Sequence, residues 1–215
     1  MTDSHIHLTT WAKQQTLLDQ GLRCIERLDG EFELPRLRDR INHLMVCRPD
    51  QRRRLAALKF FCDIQPAFVP SDLNMTESRL RRARMPWAYR WRSLWKKGLI
   101  LSASSDAPVE SVNPWQSLRD LMERSSRNGT EVLASEKRLT LEEGIPLFMS
   151  NPVRAVGQED RLGRLTPGFC ADLMVLDRNI APMSGEEVAA VEPRYVFAGG
   201  ILSRGELGDW PSFEG

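Results

Sequence analysis

Three histidines occur in this 215-residue chain, and two of them, His5 and His7, stand two residues apart in the run SHIHLT (4–9). A strand sends residues i and i+2 to the same face, so two imidazoles would project side by side if this run is extended. His43 lies in DRINHLMV (39–46), and Asp106 lies two residues past GLILSAS (98–104). Neutral imidazoles and a carboxylate meeting at one place are a suitable donor set for Zn²⁺ or a similar divalent ion. Such an ion brings the pKa of bound water to about 7 and polarises a carbonyl. Each residue also has a plainer reading. A single histidine on a strand is commonly a hydrogen-bonded packing residue, and Asp before Ala-Pro is a good turn residue. On pattern alone both readings stand.

The elements that must position these residues alternate in type. After SHIHLT, Leu17, Leu18, Leu22, Ile25 and Leu28 recur at helical spacing within residues 11–28. DRINHLMV reads as a second strand, and Pro49 then opens a helix, PDQRRRLAAL, near proline's favoured first position. KFFCDIQP (59–66) reads as a third strand, residues 87–97 as a helix, and GLILSAS as a fourth strand. Strand–helix alternation predicts a parallel sheet with crossover helices. In an α/β barrel the carboxyl ends of such strands converge on one mouth. Beyond residue 110 the rhythm changes. A helix is expected from Asn113-Pro114 to Arg124, a loop over 125–135, and a helix capped by Thr140 with Glu143 at the capping-box position. Pro146 interrupts that helix by removing a hydrogen bond. From Gly163 onward short strands are expected at 171–176 and in a hairpin at 195–202 around Gly199-Gly200.

Composition narrows the class. The 30 Lys and Arg nearly balance the 29 Asp and Glu, which implies neither a polyanionic partner nor an acidic substrate. Mean hydropathy is −0.38, and no run approaches the roughly 18 apolar residues of a membrane helix. The first ten residues lack the basic start and apolar core of a secretion signal, so a cytoplasmic protein is expected. The four cysteines are widely spaced with no CxxC pair, and buried, reduced thiols are the expectation.

Longer words carry a resemblance. SSDAPVES (104–111) resembles the "GSDAPVE" signature at the last barrel strand of the amidohydrolase 3 (YtcJ-like) family of metal-dependent hydrolases. In the same order, RDRINH (38–43) is similar to the family's "RHRIEH", DIQPAFVPSD (63–72) to "SVQPxHxxSD", and AYRWRSLWKKG (88–98) to "AYAWRSLLDAG". Residues 138–179 resemble the long closing stretch that ends "EPGKxADLVVLDRD". SHIH resembles both the family's first-strand "DSHVHL" and its fifth-strand "HAIGDRAVDLALDALE". The Leu18-Asp19 pair, eleven and twelve residues after His7, fits the fifth strand better.

The resemblance implies an α/β chain built as the C-terminal half of a (β/α)8 TIM-type barrel plus a small β-rich C-terminal segment. Strands five to eight would fall in residues 1–160, and the β-rich part in 161–215. A whole barrel takes about 250 residues, and a half leaves two unpaired sheet edges that another chain must cover. The chain is therefore expected to form a homo-oligomer or to join a complementary N-terminal half. The resemblance further implies a divalent metal, Zn first, held by His7, His43 and Asp106 with His5 beside them. Asp106 would be the general base in hydrolysis of a C–N bond in a small-molecule amide-type substrate. Three departures bear on activity. Thr10-Trp11 replaces Gly-Asp after the fifth-strand histidine, Asn42 replaces the Glu of "RIEH", and Ser104 replaces the Gly before the signature. The first removes an acidic residue, the second a carboxylate that could orient a ligand.

The alternative to an enzyme is an interaction protein using residues 79–97, which hold eight Lys or Arg and four aromatics. If helical throughout, Trp87, Trp91 and Trp95 would share one face and could grip single-stranded nucleic acid. Tryptophans packed inward with solvated arginines are the plainer expectation. Overall charge neutrality likewise argues against a nucleic-acid partner.

Overall fold

The computed structural model describes residues 5–6, 11–29, 31, 38–80, 82–129 and 131–206. Four short strands, β1 (His5–Ile6), β2 (Arg40–Asn42), β3 (Phe61–Ile64) and β4 (Ile100–Ala103), form one sheet in the order β1-β2-β3-β4. Every pairing is parallel, as strands joined by crossover helices require. Helices α1 (Trp11–Asp29) and α2 (Pro49–Leu58) make the first two crossovers, and α3 (Phe68–Leu80) and α4 (Trp91–Trp95) share the third. Register puts Ile41, Cys62 and Leu101 in one row and Asn42, Asp63 and Ser102 in the next. Successive residues point to opposite faces, so one face is apolar and packs under helices while the other is polar. Ile41, Cys62, Ile64 and Leu101 are all essentially buried, in one core with Leu22, Leu55, Trp91 and Leu94.

Several sequence expectations are redrawn by tertiary contacts. Leu18 and Leu22 of α1 are buried, but Leu17 and Leu28 are exposed. The second strand stops at Asn42 rather than running to Val46, because His43 and Leu44 take left-handed backbone angles, φ 72° and 42°. Helix α3 was not anticipated, although Val69, Thr76 and Leu80 form its buried face. The helix expected over 87–97 is two pieces. A 3₁₀ segment, Arg82–Trp87, contains Pro86, and Tyr89 at φ 47° separates it from the five-residue α4. The three tryptophans therefore share no single helix. Trp91 is buried, while Trp87 and Trp95 pack against the same core, which is the inward-packing expectation. The cysteines are all free, but only Cys47 and Cys62 are buried; Cys24 is exposed.

Downstream, the capping signals work as read. Asn113 Oδ1 accepts the amides of Trp115 and Gln116 at the start of α5 (Pro114–Glu123). Thr140 and Glu143 form a reciprocal capping box on α6 (Leu141–Phe148), which tolerates Pro146. Helix α7 (Ser150–Ala155) follows at once and lies along β4, where Asn151 Nδ2 donates to the Leu101 carbonyl at 2.8 Å. A smaller antiparallel sheet, β5 (Leu173–Val175), β6 (Tyr195–Ala198) and β7 (Ile201–Arg204), turns at Gly199-Gly200, both at positive φ as glycine permits. Helix α8 (Gly185–Ala189) packs Val188 with Leu118 and Leu141 in a second, smaller core. No helix among the described residues is long and apolar enough to cross a membrane.

Helices α1 and α2 are joined by charge. Asp19 accepts from Arg48, Gln51 and Arg54, while Arg54 also pairs with Glu26 and Arg48 with Asp50. Burial pushes the Asp19 carboxyl up, but its hydrogen bonds from Arg48 and Gln51 prevail and hold it below the ordinary value. Hydrogen bonds from Arg54 lower Glu26, and those from Arg48 hold Asp50 at about 2. Carboxylates depressed by folding stabilise the native state above their unfolded pKa and lose that contribution as the pH falls toward the folded value. These pairs are partly solvated, so each is worth roughly 0.5 kcal/mol. Asp19→Asn should lower stability by about 1 kcal/mol near neutral pH and by clearly less near pH 3, in urea unfolding followed by circular dichroism. An equal loss at both pH values would show that the network carries no charge-dependent stability.

Candidate functional site

The polar face of the main sheet opens into a pocket of about 260 Å³ at the carboxyl ends of β2, β3 and β4. Arg40 and Asn42 line it from β2, Asp63 and Gln65 from β3 and its end, and Ser102 and Ser104 from β4 and its end, with His43 and Asp106 at the rim. This i, i+2 pattern on three neighbouring strands is the signature of one sheet face. It was legible in RIN, DIQ and SAS, although Arg40, Asp63, Gln65 and Ser102 were not singled out as site residues. Their functional meaning appears only once the strands are in register.

His43 is held by more than its strand. Its amide donates to the Asp63 carbonyl at 2.7 Å, extending the ladder by one bond. The chain then turns through left-handed angles at His43 and Leu44, conformations that cost a non-glycine residue energy and need support from outside. Support comes from residues 87–91. Cys47 N donates to the Trp87 carbonyl at 3.1 Å, Tyr89 N to the Met45 carbonyl at 2.6 Å, and Trp91 Nε1 to the Leu44 carbonyl at 3.3 Å. Tyr89 is itself fixed by donating its hydroxyl to Asp72 Oδ2. Burial pushes the Asp72 carboxyl and the Tyr89 phenol up, so both resist ionising relative to free groups. Phe68, at the start of α3, stacks on the His43 ring at 5.8 Å between centroids.

Asp106 comes from the loop after β4. It is also left-handed, at φ 57°, with its carbonyl accepting from the Val109 amide at 2.9 Å. His43 Nε2 and Asp106 Oδ2 face each other at 4.0 Å, and their side chains are 8% and 32% exposed. Below them Gln65 Nε2 donates to Ser104 Oγ at 3.0 Å. The Asp63 carboxylate accepts from the Ser102 hydroxyl and lies 3.6 Å from Arg40 Nε. Asn42 Oδ1 and Gln65 Oε1 are buried with no hydrogen-bond donor. Polar atoms buried in this way normally meet a partner, so the pocket floor presents two vacant acceptors.

These donors suit a divalent ion in kind. Nitrogen and oxygen atoms sharing a tetrahedral Zn²⁺ at ordinary bond lengths lie about 3.3 Å apart. His43 and Asp106 stand at 4.0 Å, with Asp106 partly exposed. His43 and Asp106 supply half of a four-coordinate set, and no group of three or more His, Cys, Asp or Glu among the described residues is placed to hold a metal. His5 sits in β1 with its backbone opposite Arg40; its side chain, and His7 entirely, lie outside the described residues. The structure therefore brings together His43 and Asp106 of the four expected ligands and leaves the histidine pair untested.

Comparison with known proteins shows what the chain is similar to. The profile of the Amidohydrolase family matches residues 1–202. A Bacillus subtilis protein named as an amidohydrolase, YtcJ, is 33% identical over 141 residues, covering 64% of this chain and 26% of its own length. The N-substituted formamide deformylase of Arthrobacter pascens is 25% identical over 111 residues, 52% of this chain and 20% of the deformylase. Among solved structures, a metal-dependent hydrolase from Pyrococcus horikoshii superposes with a TM-score of 0.69 at 26% identity, covering 80% of this chain and 34% of the hydrolase. The chain thus spans between a fifth and about a third of the length of these relatives.

Because Tyr89 stands behind His43 and leans on Asp72, removing its hydroxyl tests the support. Tyr89→Phe leaves a half-buried carboxyl without its donor and should cost about 1–3 kcal/mol in chemical denaturation. A variant as stable as the parent would show that the Asp72 bond does not brace the residues behind His43.

Proposed function

The chain belongs to the amidohydrolase family, and from that premise we propose that it is the C-terminal half of a (β/α)8 barrel hydrolase acting on a C–N bond of a small amide-type molecule. Residues 1–160 are the barrel part and 161–215 the closing portion of a small β domain. The observation that carries the reading is the pairing of His43 and Asp106 across the pocket mouth, each held in a left-handed conformation at the end of a parallel strand. Strain of this kind persists where surrounding structure imposes it, and it gathers at functional sites. His43 and Asp106, with His5 and His7 from β1 and the residues after it, would hold a divalent ion, Zn²⁺ by the imidazole-rich donor set. When bound, that ion lowers the pKa of water and polarises a carbonyl.

The remaining work falls to this chain's own side chains. Asp106 takes a proton from the attacking water at a carboxylate oxygen and returns it to the leaving nitrogen. Gln65 Oε1 and Asn42 Oδ1, vacant acceptors on the pocket floor, offer hydrogen-bond positions to an N–H or O–H of the substrate. Arg40, drawn toward Asp63 rather than into solvent, keeps the floor near neutrality. The named activity of the Arthrobacter deformylase, on an N-substituted formamide, lends weight to the C–N assignment. Free thiols suit a cytoplasmic setting. A whole barrel would be completed by an N-terminal half or by the strands of a second copy.

A second reading, a non-catalytic interaction protein on the same scaffold, draws on the finding that only two donors converge among the described residues. One experiment separates the two. Elemental analysis of the purified chain after dialysis against zinc should find about one ion per chain, lost in both His43→Ala and Asp106→Asn. Hydrolysis of N-substituted formamides, by the chain or by its complex with an N-terminal half, should fall at least about 10²-fold in Asp106→Asn. No bound metal in the parent chain, with folded protein in hand, would sink the hydrolase reading and leave the scaffold one.

A further inference from the structure

Away from the pocket, four cations gather around residues 87–91 with no carboxylate paired to any of them among the described residues. Arg52 is on the first turn of α2, Arg90 precedes α4, Arg124 is the left-handed C-cap of α5, and Lys137 ends a short 3₁₀ turn, Ser135–Lys137. Arg52, Arg124 and Lys137 are buried, at 7%, 1% and 5% exposure. Among the described residues, the side-chain hydrogen bonds of Lys137, Arg124 and Arg90 go to neutral carbonyls only. Lys137 Nζ donates to Ala88 at 3.2 Å, Arg124 Nε to Leu133 at 2.9 Å, and Arg90 Nη1 to Pro86 at 2.8 Å. Arg124 also lies over the Trp91 ring at 5.9 Å. Arg52 Nε, Arg90 Nε and Arg124 Nη2 are buried and donate to nothing.

The charges feel one another. Burial pushes Lys137 down to about 8, with the positive charges of Arg124, Arg90 and Arg52 adding to the effect. Burial likewise lowers Arg124 to about 10, and burial with the Arg90 charge lowers Arg52. Glu136 is near enough to oppose this at Arg124 and Lys137, but it forms no ion pair with either. A buried cation without a counter-charge is among the costlier things a fold can hold. Elsewhere this chain pairs a buried arginine with carboxylates, Arg119 with Asp120 and Glu186, and Arg127 also pairs with Asp120. Four cations without a paired carboxylate among the described residues, and three buried N–H groups without an acceptor, thus come from four separate segments.

We propose that this cluster binds a small tetrahedral oxyanion of the phosphate or sulfate class, whose oxygens accept from Arg52 Nε, Arg90 Nε and Arg124 Nη2 beside the Lys137 ammonium. Guanidinium groups match the oxygens of such ions in geometry and charge, which a spherical halide does not. The site is separate from the pocket, and its occupant would tie α2 and α5 to the residues that pair with 44–47 behind His43.

The test is titration of the purified full chain with inorganic phosphate, at constant ionic strength maintained with chloride, followed by calorimetry and thermal unfolding. Saturable binding near one phosphate per chain, a rise in Tm and competition by sulfate are the expected results. Arg52→Met is the first variant, because Arg52 Nε has no acceptor and its side chain makes no hydrogen bond among the described residues. Its phosphate affinity should fall at least tenfold, while its Tm in phosphate-free chloride buffer stays equal to the parent's or rises. Lys137→Met should behave in the same direction. Absence of saturable phosphate binding, or binding undiminished in both variants, would overturn the proposal.

Discussion

Parallel register is the constraint on which the rest of this molecule depends. With Ile41 opposite Cys62 and Cys62 opposite Leu101, the apolar row lies under the helices and the row of Asn42, Asp63 and Ser102 lines the pocket. A slip of one residue in any strand would exchange the two faces, placing a carboxylate among leucines and an isoleucine in the pocket floor. The strands are only two to four residues long, so their own ladder bonds are few. What fixes register is the dry core on one side, where Leu22, Leu55, Leu94 and Trp91 accept apolar side chains only.

The pocket follows from where the strands stop. His43 and Asp106 leave the sheet at its carboxyl edge and turn through left-handed angles at once, which brings their side chains back over the strand ends. The turn at His43 is upheld from outside, by the carbonyls of Leu44 and Met45 meeting Trp91 and Tyr89. Residues 87–91 thus do two things. They seal the core with Trp91, and they keep an imidazole aimed at the pocket.

The parts that sequence makes legible are those governed by near neighbours. Asn113-Pro114, Thr140 with Glu143, and Gly199-Gly200 each act within a few residues, and each appears as read. The parallel order follows from alternation of strand and helix, while the half-barrel assignment rests on family resemblance. Contacts remote in sequence were hidden. Tyr89 breaks the expected helix at φ 47°, its amide donating to the Met45 carbonyl and its hydroxyl to Asp72, seventeen positions away. Helix α3 carries Pro70, Ser71 and Asn74, which read as loop residues until its buried face meets the core. His43 and Asp106 were identified from type and from a familiar word, whereas the Asn42–Asp63–Ser102 row exists only in three dimensions. Cys24 shows the same limit, since an apolar neighbourhood in sequence placed it inside and one step around α1 places it outside.

Beside the pocket, the outer rim of β4 is capped by a side chain, the Asn151 amide on the Leu101 carbonyl. A side chain in that position is a latch rather than a wall. A visiting strand that adds to β4 must first evict Asn151, but then recovers that bond together with others along the ladder. Joining at this rim is therefore uphill at its first step and downhill after it. Joining then depends on displacing that amide, and not only on how often two chains collide. The same amide that shields β4 from indiscriminate pairing thus sets the pace at which the sheet can be extended.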